Sequence, residues 1–414
     1  MTGHKLGAWQ GTALLVGAVL GPGMLVLPHL AAVSAGPASV LAWVGLLALS
    51  VPVAATFAAL GTRNPGGGGV SAFVRPVFGP RVSAMVGWWF YGAVPMGTLA
   101  GALIGGQYVA ASLDVTGTGA SGLAGVVAGA LLAGALAANA AGLRVSGRLQ
   151  LVMVLTLVGL LVVAVAAAAP SMTTAHFTPF APYGLAGVAD AAGVLLFAFV
   201  GWEVASHLSG EFADRRRGLI RATGATLAVI TVLYLGVAFV ATGTGATRSP
   251  VPLTVLLEMG VGPVARPVTG VVTLLLTFGA VNTYIAGAAR LGAALAAEGA
   301  LPRRFADPAG GVRRSLGLLG VLTVGVAVVA LVSGLGVDPL MRATSACLAA
   351  VTTAGTAAAV PTLTGGRRAL AVTATISSGV ATAFCGWYLL VPLALAAVAV
   401  LGFRARPALA ARGR

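Results

Sequence analysis

Long apolar runs separated by short polar clusters set the pattern of this chain. A helical membrane crossing takes about 20 mostly apolar residues. The polar clusters divide the chain into twelve such stretches, at 9–35, 38–60, 82–110, 121–140, 149–169, 189–208, 222–242, 264–294, 315–333, 340–360, 369–385 and 387–403. They are too long for barrel strands and lack period-two alternation, so the pattern predicts an all-α integral membrane protein. The apolar run after "MTGHK" is longer than a signal-peptide core, and many spans follow it; it is expected to remain as the first span.

Two stretches are interrupted where a helix should be least willing to break. "GAVLGPGMLVLPHL" (17–30) carries Gly-Pro-Gly at its middle. Pro22 has no N–H and drives its predecessor out of the helical region, and Gly21 and Gly23 ease an unwound turn. Alone, this is equally a simple kink. The sixth stretch, "AAGVLLFAFVGWEVASHLSGEF" (191–212), repeats the feature, with Gly201 and the carboxylate of Glu203 inside an apolar run. Paired breaks at corresponding places in two halves are the best sequence pointer to a transporter site near the membrane midplane. Broken ends attract anionic groups at their N–H side and cations at their carbonyl side, and a zwitterion satisfies both.

Composition removes other classes. Hydrophobic residues make up 58% of the chain and charged ones 8%, too few for a water-soluble surface. The net charge of +15 would suggest nucleic acid, but its placement decides otherwise. With a cytoplasmic N-terminus and twelve spans, 21 of the 24 Lys and Arg fall inside, and only Arg248, Arg266 and Arg342 fall outside. This is the positive-inside pattern, with both termini cytoplasmic and membrane lipid, not nucleic acid, as the basic residues' partner. Cys347 and Cys385 have neither metal-ligand spacing nor a disulfide framework and are read as small buried residues.

Four motifs, in order, resemble the amino acid–polyamine–organocation superfamily: "GPGMLVLP" (21–28), "NPGGGGVSAFVRPVFGPRV" (64–82), "FAFVGWEVASHLSGEFADRRRGLIRA" (197–222) and "NTYIAGAARLGAALAAEGALPRRF" (282–305). "GWWFYGAVPMG" (87–97) and "HLSGEF" (207–212) are most similar to its bacterial branch that exports methionine and branched-chain amino acids. The resemblance implies a LeuT-like fold, with inverted five-helix repeats at 1–170 and 171–361 and two further helices with a basic cytoplasmic tail at 362–414. It implies a secondary active transporter of neutral amino acids in a bacterial inner membrane, working by alternating access, with export as the favoured direction. An amine or polyamine transporter and an obligate amino-acid exchanger are the alternatives.

The resemblance also assigns roles. Gly23 and Met24 N–H groups would hold the substrate carboxylate beside Gly21, and the carbonyls of Val19, Phe197 and Val200 would hold the ammonium. Ala198 and Gly201 belong to the second break, and Phe197 takes the place of an aromatic gate. Ala93, Val94, Thr98 and Tyr284 match pocket positions; all are uncharged, which favours a neutral aliphatic or thioether side chain. Relatives carry Ser or Thr where Pro22 stands, so one carboxylate contact is missing. Weak binding, suited to an exporter, is the favoured reading of that loss over a substrate without a carboxylate.

No cofactor is expected. Glu203, with His207 four residues on, is the coupling candidate, and Asn282 a gating one; whether Glu203 stabilises the unwound segment or moves protons stays open. His29 is a weaker relay candidate. The fifth stretch has no Lys, and sodium coordination, for which Thr277, Asn282 and Thr283 are the obvious side chains, is less favoured than proton coupling. Four scattered His and two Cys offer no enzyme constellation, and one pair of breaks does not make a channel's symmetric filter.

Overall fold

The computed structural model of the chain describes residues 7–63, 69–142, 147–199, 201–203, 212, 214–305 and 310–402. Val200 and His207 lie outside the described residues. The chain is an all-helical, multi-pass membrane protein. In order come α1 (Ala8–Val19), a 3-10 turn at Pro22–Leu25, α2 (Leu27–Ala35), α3 (Ser39–Arg63), α4 (Gly69–Ser112), α5 (Gly117–Ala140) and α6 (Gly147–Ala168). Then follow α7 (Gly184–Leu195), continued by a 3-10 turn at Leu196–Phe199, α8 (Arg215–Thr244), α9 (Pro252–Val261), α10 (Ala265–Ala297), α11 (Gly311–Val332), α12 (Val337–Thr362), α13 (Gly366–Ala383) and α14 (Leu390–Gly402).

Each of the twelve apolar stretches falls, among the described residues, largely on helix, the sixth as far as Phe199. Among the described residues, seven helical stretches are by themselves long and apolar enough to cross a membrane, and α13 with α14 makes an eighth candidate, bent by 112°. The first stretch gives the short Ala8–Val19 before its break and, after it, α2, which continues into α3 as Leu27–Arg63; the sixth gives the short Gly184–Phe199. Two features escape the apolar pattern: the ten-residue α9, and the bend in α4 at Gly79 (φ 84°, ψ 175°), where a positive φ joins two helical arms.

The first break has a local cause. Pro22 requires an extended predecessor, and Gly21 adopts φ −86°, ψ 175°. α1 therefore stops at Val19, and the chain resumes in the 3-10 turn with Pro22 at its first position, where no N–H is needed.

α4 is the axis of the packing, lying along both α10 and α12, while α1 packs on α8 and α2 on α7. Lipid tails are as apolar as side chains, so helices associate through close fit. At the α4–α5 contact, for example, a Cβ on Gly106 would collide with the Ala124 carbonyl. Of the seven long apolar stretches α12 is the most enclosed, with 72% of its apolar core segment buried, against 22% for the one on α6. Exposed Val321, Val324 and Val328 of α11, and Leu149, Val152 and Leu155 of α6, form stripes at helical spacing that suit lipid contact.

Candidate functional site

The two breaks meet. Gly201 has φ 115°, and a Cβ there would stand 2.5 Å from the Ala18 carbonyl oxygen and 3.0 Å from Val19 Cα. Both the backbone angle and this approach of main chain to main chain require glycine. The Gly201 N–H donates to Glu203 Oε2 at 3.0 Å, so the buried carboxylate ties down the unwound segment. On the other side, Phe197 lies against the first break: a Cβ on Gly23 would be 2.6 Å from its Cδ1.

Around this meeting point is a small cavity of about 50 Å³, well below the roughly 300–1,000 Å³ usual for open small-molecule sites. The first break contributes Val19, Gly21, Gly23 and Met24 to its wall, and the second Phe197 and Ala198. α4 contributes Ala93, Val94 and Thr98, and α10 contributes Tyr284. Phe90, Gly97 and Gly101 complete the α4 face at helical spacing, and α12 adds Thr344 and Leu348, one turn apart. The α4 additions were available from the spacing of Ala93, Val94 and Thr98; Tyr234 of α8 and the α12 pair carry no local signal. The wall contains no Asp, Glu, Lys, Arg or His among the described residues.

The polar groups of the wall are unequally committed. Thr98 and Thr344 donate to Val94 and Leu340 carbonyls of their own helices at 2.7 and 2.8 Å. Met24 N–H donates to Gly21 O at 3.2 Å, whereas the buried Gly23 N–H forms no hydrogen bond among the described residues. Val19 O accepts two bonds, from Tyr234 Oη and from Gly21 N–H, each at 3.0 Å. Of the groups expected to face a zwitterion, Gly23 N–H is therefore unengaged, while Met24 N–H and Val19 O have partners within the protein.

A second, wider cavity of about 360 Å³ adjoins the first and shares Gly21, Pro22, Phe90, Ala280 and Tyr284 with it. Gly201 and Glu203 line this second space together with Gln150, Met153 and Val154 of α6. Asn282 lines neither cavity; its Oδ1 accepts from Asn139 Nδ2 at 2.7 Å and links α10 to α5. Thr283 lines the second cavity and donates to Gly279 O, whereas Thr277 lies against Gly105 of α4, so the sodium candidates do not converge. His29 borders a different pocket, with its Nδ1 2.8 Å from Thr247 O. In that pocket Arg342 of α12, 11% exposed, is bidentate to Asp190 of α7 at 2.8 and 2.9 Å, meets both oxygens of Asp338 at 2.9 Å and donates to Ser34 Oγ of α2 at 3.0 Å. This cluster joins α2, α7 and α12.

A family model described as amino acid permease matches residues 6–407. The chain is 32% identical over 403 residues to an uncharacterized amino acid permease, YecA, of Bacillus subtilis, covering 94% of this chain and 92% of the relative. It is 30% identical over 301 residues to the L-methionine/branched-chain amino acid exporter YjeH of Escherichia coli, covering 70% and 69% of the two chains. Branched-chain amino acid permease BcaP of Bacillus subtilis is 26% identical over 254 residues, covering 58% and 55%.

Proposed function

The chain belongs to the amino acid permease family of the amino acid–polyamine–organocation superfamily, and from that premise we propose that it exports neutral amino acids, methionine and the branched-chain ones above all, across a bacterial inner membrane. Amino-acid transport follows from the family. The finer reading rests on one observation: among the described residues, the cavity where the two breaks meet has an apolar wall without a charged side chain, and one buried, unengaged N–H at Gly23. An ionic substrate side chain would lose its hydration there without gaining a partner, at a cost of several kcal/mol. A substrate carboxylate has Gly23 N–H to accept from, while an aliphatic or thioether side chain fills the space toward Val94 and Leu348. The name of the Escherichia coli relative supports the same substrates and direction.

Direction has a second support. Pro22 offers no N–H, and Met24 N–H is engaged by Gly21 O, which leaves the carboxylate a single main-chain donor from this turn. Weak binding suits a protein that loads where amino acids are concentrated. Transport is read as alternating access between two inverted repeats. With both termini read as cytoplasmic, the Arg342 cluster would lie toward the outer face and the Glu203 cavity toward the inner one.

Counterflow into proteoliposomes tests the reading. Unlabelled leucine, isoleucine, valine or methionine inside should each accelerate entry of labelled leucine, and arginine, glutamate and putrescine should not. Acceleration by putrescine in preference to leucine would overturn the neutral amino-acid reading in favour of an amine carrier.

A further inference from the structure

The geometry points to the hydroxyl of Tyr234 as the acceptor that holds the substrate's ammonium group, a role no local sequence signal suggests and one that rests on the amino-acid reading above. A carbonyl oxygen has two lone pairs, and those of Val19 are both engaged, by Tyr234 Oη and Gly21 N–H at 3.0 Å each. The expected carbonyl acceptor at the end of α1 is thus filled in this structure. The group that fills it is itself an acceptor. A tyrosine hydroxyl carries one proton and lone pairs, and Tyr234 spends the proton on Val19 O while no donor reaches its oxygen among the described residues.

Three features suit that oxygen to an ammonium. Tyr234 lines the cavity and is 1% exposed, so the oxygen is shielded from bulk water. The ring stands edge-on to Trp43 of α3, with centroids 5.3 Å apart and planes at 71°, which fixes its orientation. The bond to Val19 O also places it at the carbonyl end of the twelve-residue α1, where the helix presents partial negative charge. Gly23, whose unengaged N–H faces the carboxylate role, is only four residues further along the chain. The ammonium and carboxylate of one α-amino acid can then be held together, the ammonium donating to Tyr234 Oη while Tyr234 donates to Val19 O. Thr98 and Thr344 also keep lone pairs, but neither bonds to a break.

The test is binding of leucine, and of 4-methylpentanoate (leucine without its amino group), to purified wild-type and Tyr234→Phe protein. A hydrogen bond to a charged group is worth enough that its loss should weaken leucine about 10- to 100-fold, with binding of the deaminated analogue unchanged. Leucine affinity within threefold of wild type, or improved because the freed Val19 carbonyl takes the ammonium, would overturn the assignment. So would an equal loss for both ligands, which is what a hydroxyl serving only to hold α1 would give. If Tyr234→Phe does not fold, Tyr234→Trp, which keeps a ring and a donor but has no lone pair to offer, carries the same expectations. Failure of the amino-acid reading is distinct: wild-type protein would then bind neither leucine nor methionine.

Discussion

Gly21 and Gly23 flank the same proline, yet the structure predicts opposite outcomes when each gains a methyl group. At Gly21, φ is −86° and no atom lies within 4 Å of a new Cβ, so alanine fits both backbone and space. At Gly23 the new Cβ would lie 2.6 and 2.7 Å from Cδ1 and Cε1 of Phe197 and 3.4 Å from Met341 Cε. Since real Cβ contacts do not approach so closely, Phe197 must turn or the break must shift. Overpacking of this kind costs about 1–3 kcal/mol, which is about 5- to 150-fold in an equilibrium constant. The displaced ring borders the substrate cavity, so the effect should appear in leucine affinity. Gly23→Ala is expected to weaken leucine counterflow by that factor, while Gly21→Ala stays within about 0.5 kcal/mol of wild type. The cause can be isolated by a double-mutant cycle: Phe197→Ala, damaging alone, should remove most of the further effect of Gly23→Ala, a coupling of about 1 kcal/mol or more. Wild-type counterflow by a well-expressed Gly23→Ala protein, or strict additivity with Phe197→Ala, would refute the contact and remove the first break from the site.

Two further changes probe the ends of the pathway. Glu203→Gln keeps an acceptor for Gly201 N–H but exchanges a charge-assisted bond for a neutral one, a loss of about 1 kcal/mol. Exchange and net flux should fall together, by about fivefold, with the pH dependence of flux kept; exchange retained with net flux lost would instead make Glu203 a proton carrier. Asp190→Asn removes the charge that Arg342 grips from α7, and because Asp190 is half exposed the effect should be about 1 kcal/mol. A cysteine placed at Leu30 should then react about five times faster with an impermeant maleimide added outside cells, and an unchanged rate would rule out a closing role for the cluster.

The described cavity shows how far a local signal reaches. Ala93, Val94 and Thr98 are named from the resemblance, and the helical period that puts them on one face extends to Phe90, Gly97 and Gly101. Gly23 belongs to a break written in Gly and Pro, whereas Phe197 is named from the resemblance as an aromatic gate beside the second break. Asn282 shows the limit. Its sequence neighbour Tyr284 borders the cavity, but Asn282 turns to Asn139, a residue 143 positions away, and ties two helices instead.

The sequence by itself determined what depends on neighbours along the chain. The apolar runs fixed where helices form, because each main-chain polar group in lipid must be satisfied within its own segment. Pro22 and its glycines fixed where the first helix stops, and the distribution of Arg supported an orientation. The tertiary structure decided what depends on which segments meet. Only the approach of Gly201 to Ala18 shows why that glycine has φ 115°, and only packing brings Tyr234 to Val19 O, 215 positions away. Hydrogen bonds between distant segments leave no periodic trace in sequence, because any of several helices could supply the partner. A lone tyrosine in an apolar span reads the same whether it faces lipid or a substrate's ammonium, until the helices are in place.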